Sequence, residues 1–268
     1  MAVASLPMYD LPELRAATDA WWQGLARAFG REGIANVPDA LDRRASYQEI
    51  WTSPDLLLSQ TCGYPLTHAL AGRVTLVATP CYAAEGCEAA SYCSVVIVGA
   101  DNPAGAIGDL RGARCAINGP DSQSGCNALR ALVAPLAARG RFFGIVAVSG
   151  GHAASIALVA AGEADVAAVD CVTHALLSRH RPAALAGTRV LCRTPSAPGL
   201  PYVTREGADD DLLQRLRAGL ARAMADPQLA AARDALLLAD AAVLPLAAYD
   251  RITELEDAAM AAGYREVA

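Results

Sequence analysis

The sequence predicts an α/β protein of two lobes, each a mostly parallel sheet flanked by helices. Three observations predict it. Short apolar, β-branched runs alternate with helical patterns as far as Gly99, and the alternation restarts after Asp109 with a complete set of its own. Beyond Pro195 and Pro198 the chain returns to helices. Strands alternating with helices signal a wound, mainly parallel sheet. One such block set inside another divides a chain of 268 residues into two lobes.

Each element follows from its local pattern. Residues 3–8 read as a strand ended by Tyr9 and Asp10, and residues 12–29 as an amphipathic helix with Leu14, Trp21, Leu25 and Phe29 at helical spacing. Residues 56–60 form a buried strand and residues 64–70 a short helix after Cys62 and Gly63. Strands follow at 74–79 and 94–99. The second block supplies strands at 114–118, 142–148, 166–169 and 188–193. Its helices run from the turn after Asn118 to Ala138, then over 152–161 and 172–179. Helices at 210–224, 227–238 and 247–262 close the chain.

The first lobe is therefore expected to comprise residues 1–95 and 196–268, with residues 96–195 inserted as the second. The connecting segments at 94–98 and 193–198 form the expected hinge. Ligand sites favour clefts between lobes and the carboxyl ends of parallel strands.

Composition narrows the function. The net charge of −6 argues against a nucleic-acid partner, because phosphate backbones are gripped by basic surfaces. All 22 basic residues are Arg, which excludes a Walker-type phosphate loop and a Schiff-base Lys. No segment reaches the roughly 18 uninterrupted apolar residues of a membrane span. The first residues lack the early positive charge and apolar run of a secretion signal. The sequence as written is expected in the cytoplasm, or in the periplasm or cell envelope if an export signal was removed or lies outside it. Cys81, Cys87 and Cys93 recur at even spacing, but structural zinc ligands usually sit about two to four residues apart. No metal and no cofactor is expected; the eight Cys read as mostly buried thiols.

Polar groups concentrate in residues 118–170. Asn118-Gly119-Pro120-Asp121-Ser122-Gln123-Ser124-Gly125 is a turn rich in Gly, Pro and hydroxyls that runs into a helical pattern. Ser149-Gly150-Gly151-His152 precedes another helix, and Asp170 closes an apolar strand. A helix start offers unpaired N–H groups and the positive end of the helix dipole. Two hydroxyls and an amide within three residues exceed what one N-cap needs, so Ser122, Gln123 and Ser124 are read as anion contacts and His152 as a second. Asp170 either caps the next helix or accepts a hydrogen bond from a protonated or amino-substituted ligand.

These residues resemble the phosphate/phosphite/phosphonate-binding proteins of ABC uptake systems. The likeness rests on residues 118–125 followed by Asn127-Ala128-Leu129-Arg130, on Ser149-Gly150-Gly151-His152 with Ser155, and on residues 162–170. In looser form it spans residues 56–204, with Asp109-Leu110-Arg111-Gly112 and Pro198-Gly199-Leu200-Pro201. It implies a type II periplasmic-binding-protein fold, two lobes closing on a ligand around a two-strand hinge. It places ligand contacts at Ser122, Gln123, Ser124, His152 and Asp170, with Tyr64, Tyr92 and Ser94 from the other lobe. Gln123 departs from the family's hydroxyl trio.

The expected function is capture of a small oxyanion, a phosphonate, phosphite or phosphate, without chemistry and with an ABC permease as the partner. An enzyme or a ligand sensor on the same fold is the alternative. Ser124, His152 and Asp170 contain a triad's residue types, but the Gly-x-Ser-x-Gly elbow is missing and the chain order differs from that of hydrolases.

Overall fold

A computed structural model describes residues 2–268. The chain begins with β1 (Val3–Ser5) and α1 (Arg15–Arg31). α1 follows a turn that opens on Pro12, where a missing N–H costs nothing. It buries Trp21, Trp22, Leu25 and Phe29 along one face. α2 (Tyr47–Trp51) starts on a capping box between Ser46 and Glu49. β2 (Leu56–Gln60), α3 (Gly63–Thr67) and β3 (Val74–Tyr82) follow.

The middle of the chain supplies β4 (Ser91–Tyr92), β5 (Ser94–Gly99), β6 (Arg114–Ile117), α4 (Ala128–Val133), β7 (Ile145–Val148), α5 (His152–Ala160), β8 (Val166–Asp170), α6 (Cys171–His180), β9 (Thr188–Arg193) and β10 (Ala197–Pro198). The chain then adds β11 (Tyr202–Arg205), α7 (Asp210–Ala225), α8 (Ala230–Ala235), β12 (Leu238–Ala242) and α9 (Asp250–Ala261).

The chain divides into two units. The first comprises Met1–Ala83 and Gly199–Ala248 and the second Ala84–Pro198 and Tyr249–Ala268. The first holds a sheet of order β1-β2-β11-β3-β12. β1 and β2 are parallel, while β11 and β12 enter antiparallel to their neighbours. Two glycines inside its helices mark close packing, where helix propensity alone would disfavour them. A Cβ on Gly24 would lie 2.2 Å from Leu229 Cδ1, and one on Gly219 2.5 Å from Phe29 Cδ1.

The second unit holds a sheet of order β7-β6-β8-β5-β9. β7, β6 and β8 run parallel, and β5 is antiparallel to both β8 and β9. β5 and β8 are almost wholly buried, as their unbroken apolar runs require.

Three differences from the sequence reading have physical causes. The expected helix over 227–238 ends by Ala235, and β12 extends the sheet instead. Its alanines favour helix, but pairing with β3 satisfies backbone groups that an edge would leave open. The expected strand over 142–148 shrinks to β7, since Phe142 and Phe143 N–H groups both donate to Ala268 O. Finally, residues 249–268, expected in the first lobe, belong to the second unit. There Ala259, Tyr264 and Val267 join the core around Leu129 and Val133. The segments expected as the hinge, 94–98 and 193–198, lie inside the second unit; the unit boundaries fall after Ala83, Pro198 and Ala248.

Candidate functional site

Three neighbouring parallel strands, β7, β6 and β8, deliver their carboxyl ends to three helix starts in the second unit. α5 begins after Gly151, a one-turn π-helix (Gln123–Asn127) leading into α4 begins after Ser122, and α6 begins after Asp170. Unpaired N–H groups and the positive dipole ends of helices gather at such a strand edge.

The middle start is the most elaborate. Ser122 is extended and its Oγ accepts from Gly125 N at 3.0 Å, a true N-cap. Asn127 N then donates to Ser122 O at 2.9 Å, five residues back, so the first turn is wider than an α-turn. Single π-turns of this kind recur at functional sites. Ser124 Oγ lies 2.9 Å from His152 Nε2, which ties the second helix start to the first. Ser94 Oγ donates to Ser124 O at 2.9 Å, and Ser94 is the register partner of Asp170 across β5 and β8. Gly150, with φ +86°, makes the bend that sets His152 at the head of α5, and Ser149 and Ser155 hydroxyls meet at 2.7 Å beside it.

A buried polar chain holds this turn from behind. Asn127 Nδ2 donates to Gln123 Oε1 at 2.7 Å and to Ile252 O at 3.0 Å. Arg130 Nη2 donates to Asn127 Oδ1 at 2.6 Å and pairs with Glu256 Oε1 at 2.8 Å, while Nη1 reaches Arg265 O. Gln123 is thus fixed through Asn127 and Arg130 by the carboxyl-terminal helix of the same unit.

Of the eight residues singled out from the sequence, Ser94, Ser122, Gln123, Ser124, His152 and Asp170 come together here. Their tasks differ. Ser122 caps, Ser94 positions a backbone carbonyl, and one Asp170 oxygen caps α6 by accepting from Thr173 N at 2.8 Å. Tyr92 lies buried in β4, opposite Ala197 of β10, also in the second unit. Ser94 and Tyr92 were expected from the opposite lobe, and their assignment to this unit corrects that. Tyr64 belongs to the first unit, stacked on His68 with ring centroids 3.8 Å apart. Asp165 pairs with Arg114 at 2.7 Å, and that pairing holds its carboxyl below the usual range.

Sequence reasoning missed Asn118, Asn127, Arg130 and Glu256. Asn118 opens the tract and carries a buried Oδ1 with no protein partner. Arg130 ends the run Asn127-Ala128-Leu129-Arg130, but its partner Glu256 gives no local signal.

Burial drives the His152 pKa down to about 4, with the Ala168 backbone opposing it. The ring is therefore neutral near pH 7, and among the described residues no carboxylate meets its Nδ1. A hydrolase triad would need one. The low pKa carries a stability consequence. The unfolded ring takes up its proton near 6.5 and the folded one only near 4, so between these values the unfolded chain binds more protons. Stability should fall as pH drops through that window, by up to about 3 kcal/mol. Denaturant unfolding at several pH values checks this, with His152→Gln expected to flatten the slope there.

Among the described residues no group of His, Cys, Asp and Glu could hold a metal ion, and no helix is long and apolar enough to cross a membrane.

Residues 3–258 match the family described as ABC transporter, phosphonate, periplasmic substrate-binding protein. Among solved structures, PhnD1 from Prochlorococcus marinus in complex with methylphosphonate is similar with a TM-score of 0.77 at 15% identity, covering 96% of this chain and 97% of that one. A binding protein component of an ABC phosphonate transporter from Pseudomonas aeruginosa is similar with a TM-score of 0.76 at 16% identity, covering 98% and 87%. A Xanthomonas citri protein bound to chloride ion has a TM-score of 0.71 at 18% identity, covering 98% of each chain. No curated protein matches the chain.

Proposed function

The chain belongs to the family of periplasmic substrate-binding proteins of phosphonate ABC transporters, and from that premise we propose that it captures a small phosphonate-type oxyanion at the helix starts of its second unit and passes it to an ABC permease. The periplasm is one of the two locations the sequence left open, and we read the chain as exported to it. The observation that carries the ligand reading is the convergence of three helix starts at the ends of β7, β6 and β8, with Ser122, Gln123, Ser124 and His152 at two of them. Neutral donors and helix dipoles hold an anion without a full counter-charge, which suits a ligand that must later be released.

Two acceptors refine the ligand class. The Asp170 carboxylate and the buried Asn118 Oδ1 favour a ligand that itself donates, through a P–OH or an ammonium group. A singly protonated or amino-substituted phosphonate does so, whereas sulfate is fully ionised and has nothing to donate. His152 remains neutral, so it contributes a ring nitrogen and an orientation for the Ser124 hydroxyl, not a charge.

A thermal-shift panel tests this reading with phosphate, phosphite, methylphosphonate, aminoethylphosphonate and sulfate. A ligand at about 100 times its Kd adds about 2.7 kcal/mol of stability. The expected result is a rise in Tm with a phosphonate and none with sulfate. An equal rise with sulfate would remove the donating-ligand argument, and no rise with any of the five would remove the oxyanion reading. Ser124→Ala should weaken the bound phosphonate by about tenfold to a hundredfold, the range for a hydrogen bond to a charged group.

A further inference from the structure

Two of the three evenly spaced cysteines have a partner elsewhere in the chain. Cys87 lies in the loop before β4, Cys93 lies between β4 and β5, and Cys171 is the first residue of α6. Cys87 Sγ and Cys171 Sγ are 3.6 Å apart. Cys171 N donates to Cys93 O and Cys93 N to Gly86 O, both at 3.1 Å, which ties Cys171 through Cys93 to the residue before Cys87. Gly86 has φ +100°, and a Cβ there would lie 2.8 Å from Cys93 Sγ and 3.2 Å from Cys171 Cβ. The thiols are thus packed against a turn that only glycine makes without strain. All eight cysteines of the chain are thiols in this structure.

We propose that this cluster is a redox modification site, in which a low-molecular-weight disulfide oxidises the Cys87 and Cys171 thiols to a bridge between them. The exposures set the order of events. Cys87 is partly exposed, while Cys171 is 2% and Cys93 5% exposed. The reaction therefore starts at Cys87. Its thiolate attacks one sulfur of the small disulfide RSSR, an S–S bond forms, and RS⁻ leaves with the electron pair. Cys171 then loses its proton to water and attacks the Cys87 sulfur, expelling the second RS⁻. Two protein thiols become one disulfide and RSSR becomes two RSH. The sulfurs have to close from 3.6 Å to about 2.05 Å.

The inner thiols resist the first step. A hydrogen bond donated to Cys171, with burial, holds Cys93 far above the usual thiol range, and one to Cys87 does the same for Cys171. The bridge would fasten the loop before β4 to the start of α6, one residue from Asp170.

The full chain, folded and incubated with oxidised glutathione, acid-quenched, then alkylated under denaturing conditions and digested, tests this. The expected result is loss of two of the eight alkylatable thiols, a linked peptide joining Cys87 to Cys171, and restoration of both thiols by dithiothreitol. Cys81→Ser should form the same link, and Cys87→Ser should leave Cys171 reduced. Eight remaining thiols in the wild-type chain, or a linked peptide joining any other pair, would overturn the proposal.

Discussion

Arg130→Ala is expected to destabilise the protein by about 3–5 kcal/mol, the usual result of removing one partner of a buried ion pair. The side chains of Arg130 and Glu256 are only 9% and 16% exposed, so water would do little to replace the lost counter-charge. Asn127 Oδ1 and Arg265 O would lose their donors at the same time. Asn127 holds Gln123, so the damage should reach the anion turn, and a bound phosphonate should weaken by more than tenfold. Chemical denaturation followed by ligand titration reads both effects. Glu256→Gln keeps an acceptor and should cost about 1–2 kcal/mol. That contrast separates loss of charge from loss of the whole network.

Gly125→Ala should produce the second large effect, and it should fall mainly on binding. A Cβ at this position would lie 1.9 Å from Asn118 Oδ1, 2.6 Å from Asn118 Cγ and 3.3 Å from His152 Cε1. The methyl group must displace both side chains, in a turn whose neighbours are already buried. Overpacking of this kind costs about 1–3 kcal/mol in stability. Affinity for a phosphonate should fall by about tenfold or more, since Asn118 has to move away and His152, paired with Ser124 at 2.9 Å, has to give way. A melting curve and a calorimetric titration on the variant separate these costs.

The sequence made local devices legible and left distant ones unread. β5 and β8 were readable because a strand buried on both faces is an unbroken apolar run. Ser122 and His152 were readable because a helix start concentrates hydroxyls and glycines ahead of a periodic pattern. β12 was unreadable from Leu238-Ala-Asp-Ala-Ala, whose composition favours helix and whose strand form depends on β3. α9 shows a clear buried face of Ile252, Leu255 and Ala259, but such a stripe carries no address. The bonds from Asn127 and Arg130 to Ile252, Glu256 and Arg265 supply the address, and they join residues far apart in the chain. For the same reason the sequence pattern alone puts Ser94 in the other half: only the β5–β8 register places it beside Asp170.

In the proposed function the helix starts at Ser122 and His152 hold a phosphonate. Isothermal titration calorimetry of methylphosphonate and of aminoethylphosphonate into the wild-type chain and into Ser124→Ala tests it most directly. Saturable binding of at least one of them is expected at one site per chain, with at least tenfold weaker binding in the variant. Unchanged affinity in Ser124→Ala, or no heat from either ligand with the wild-type chain, would contradict it.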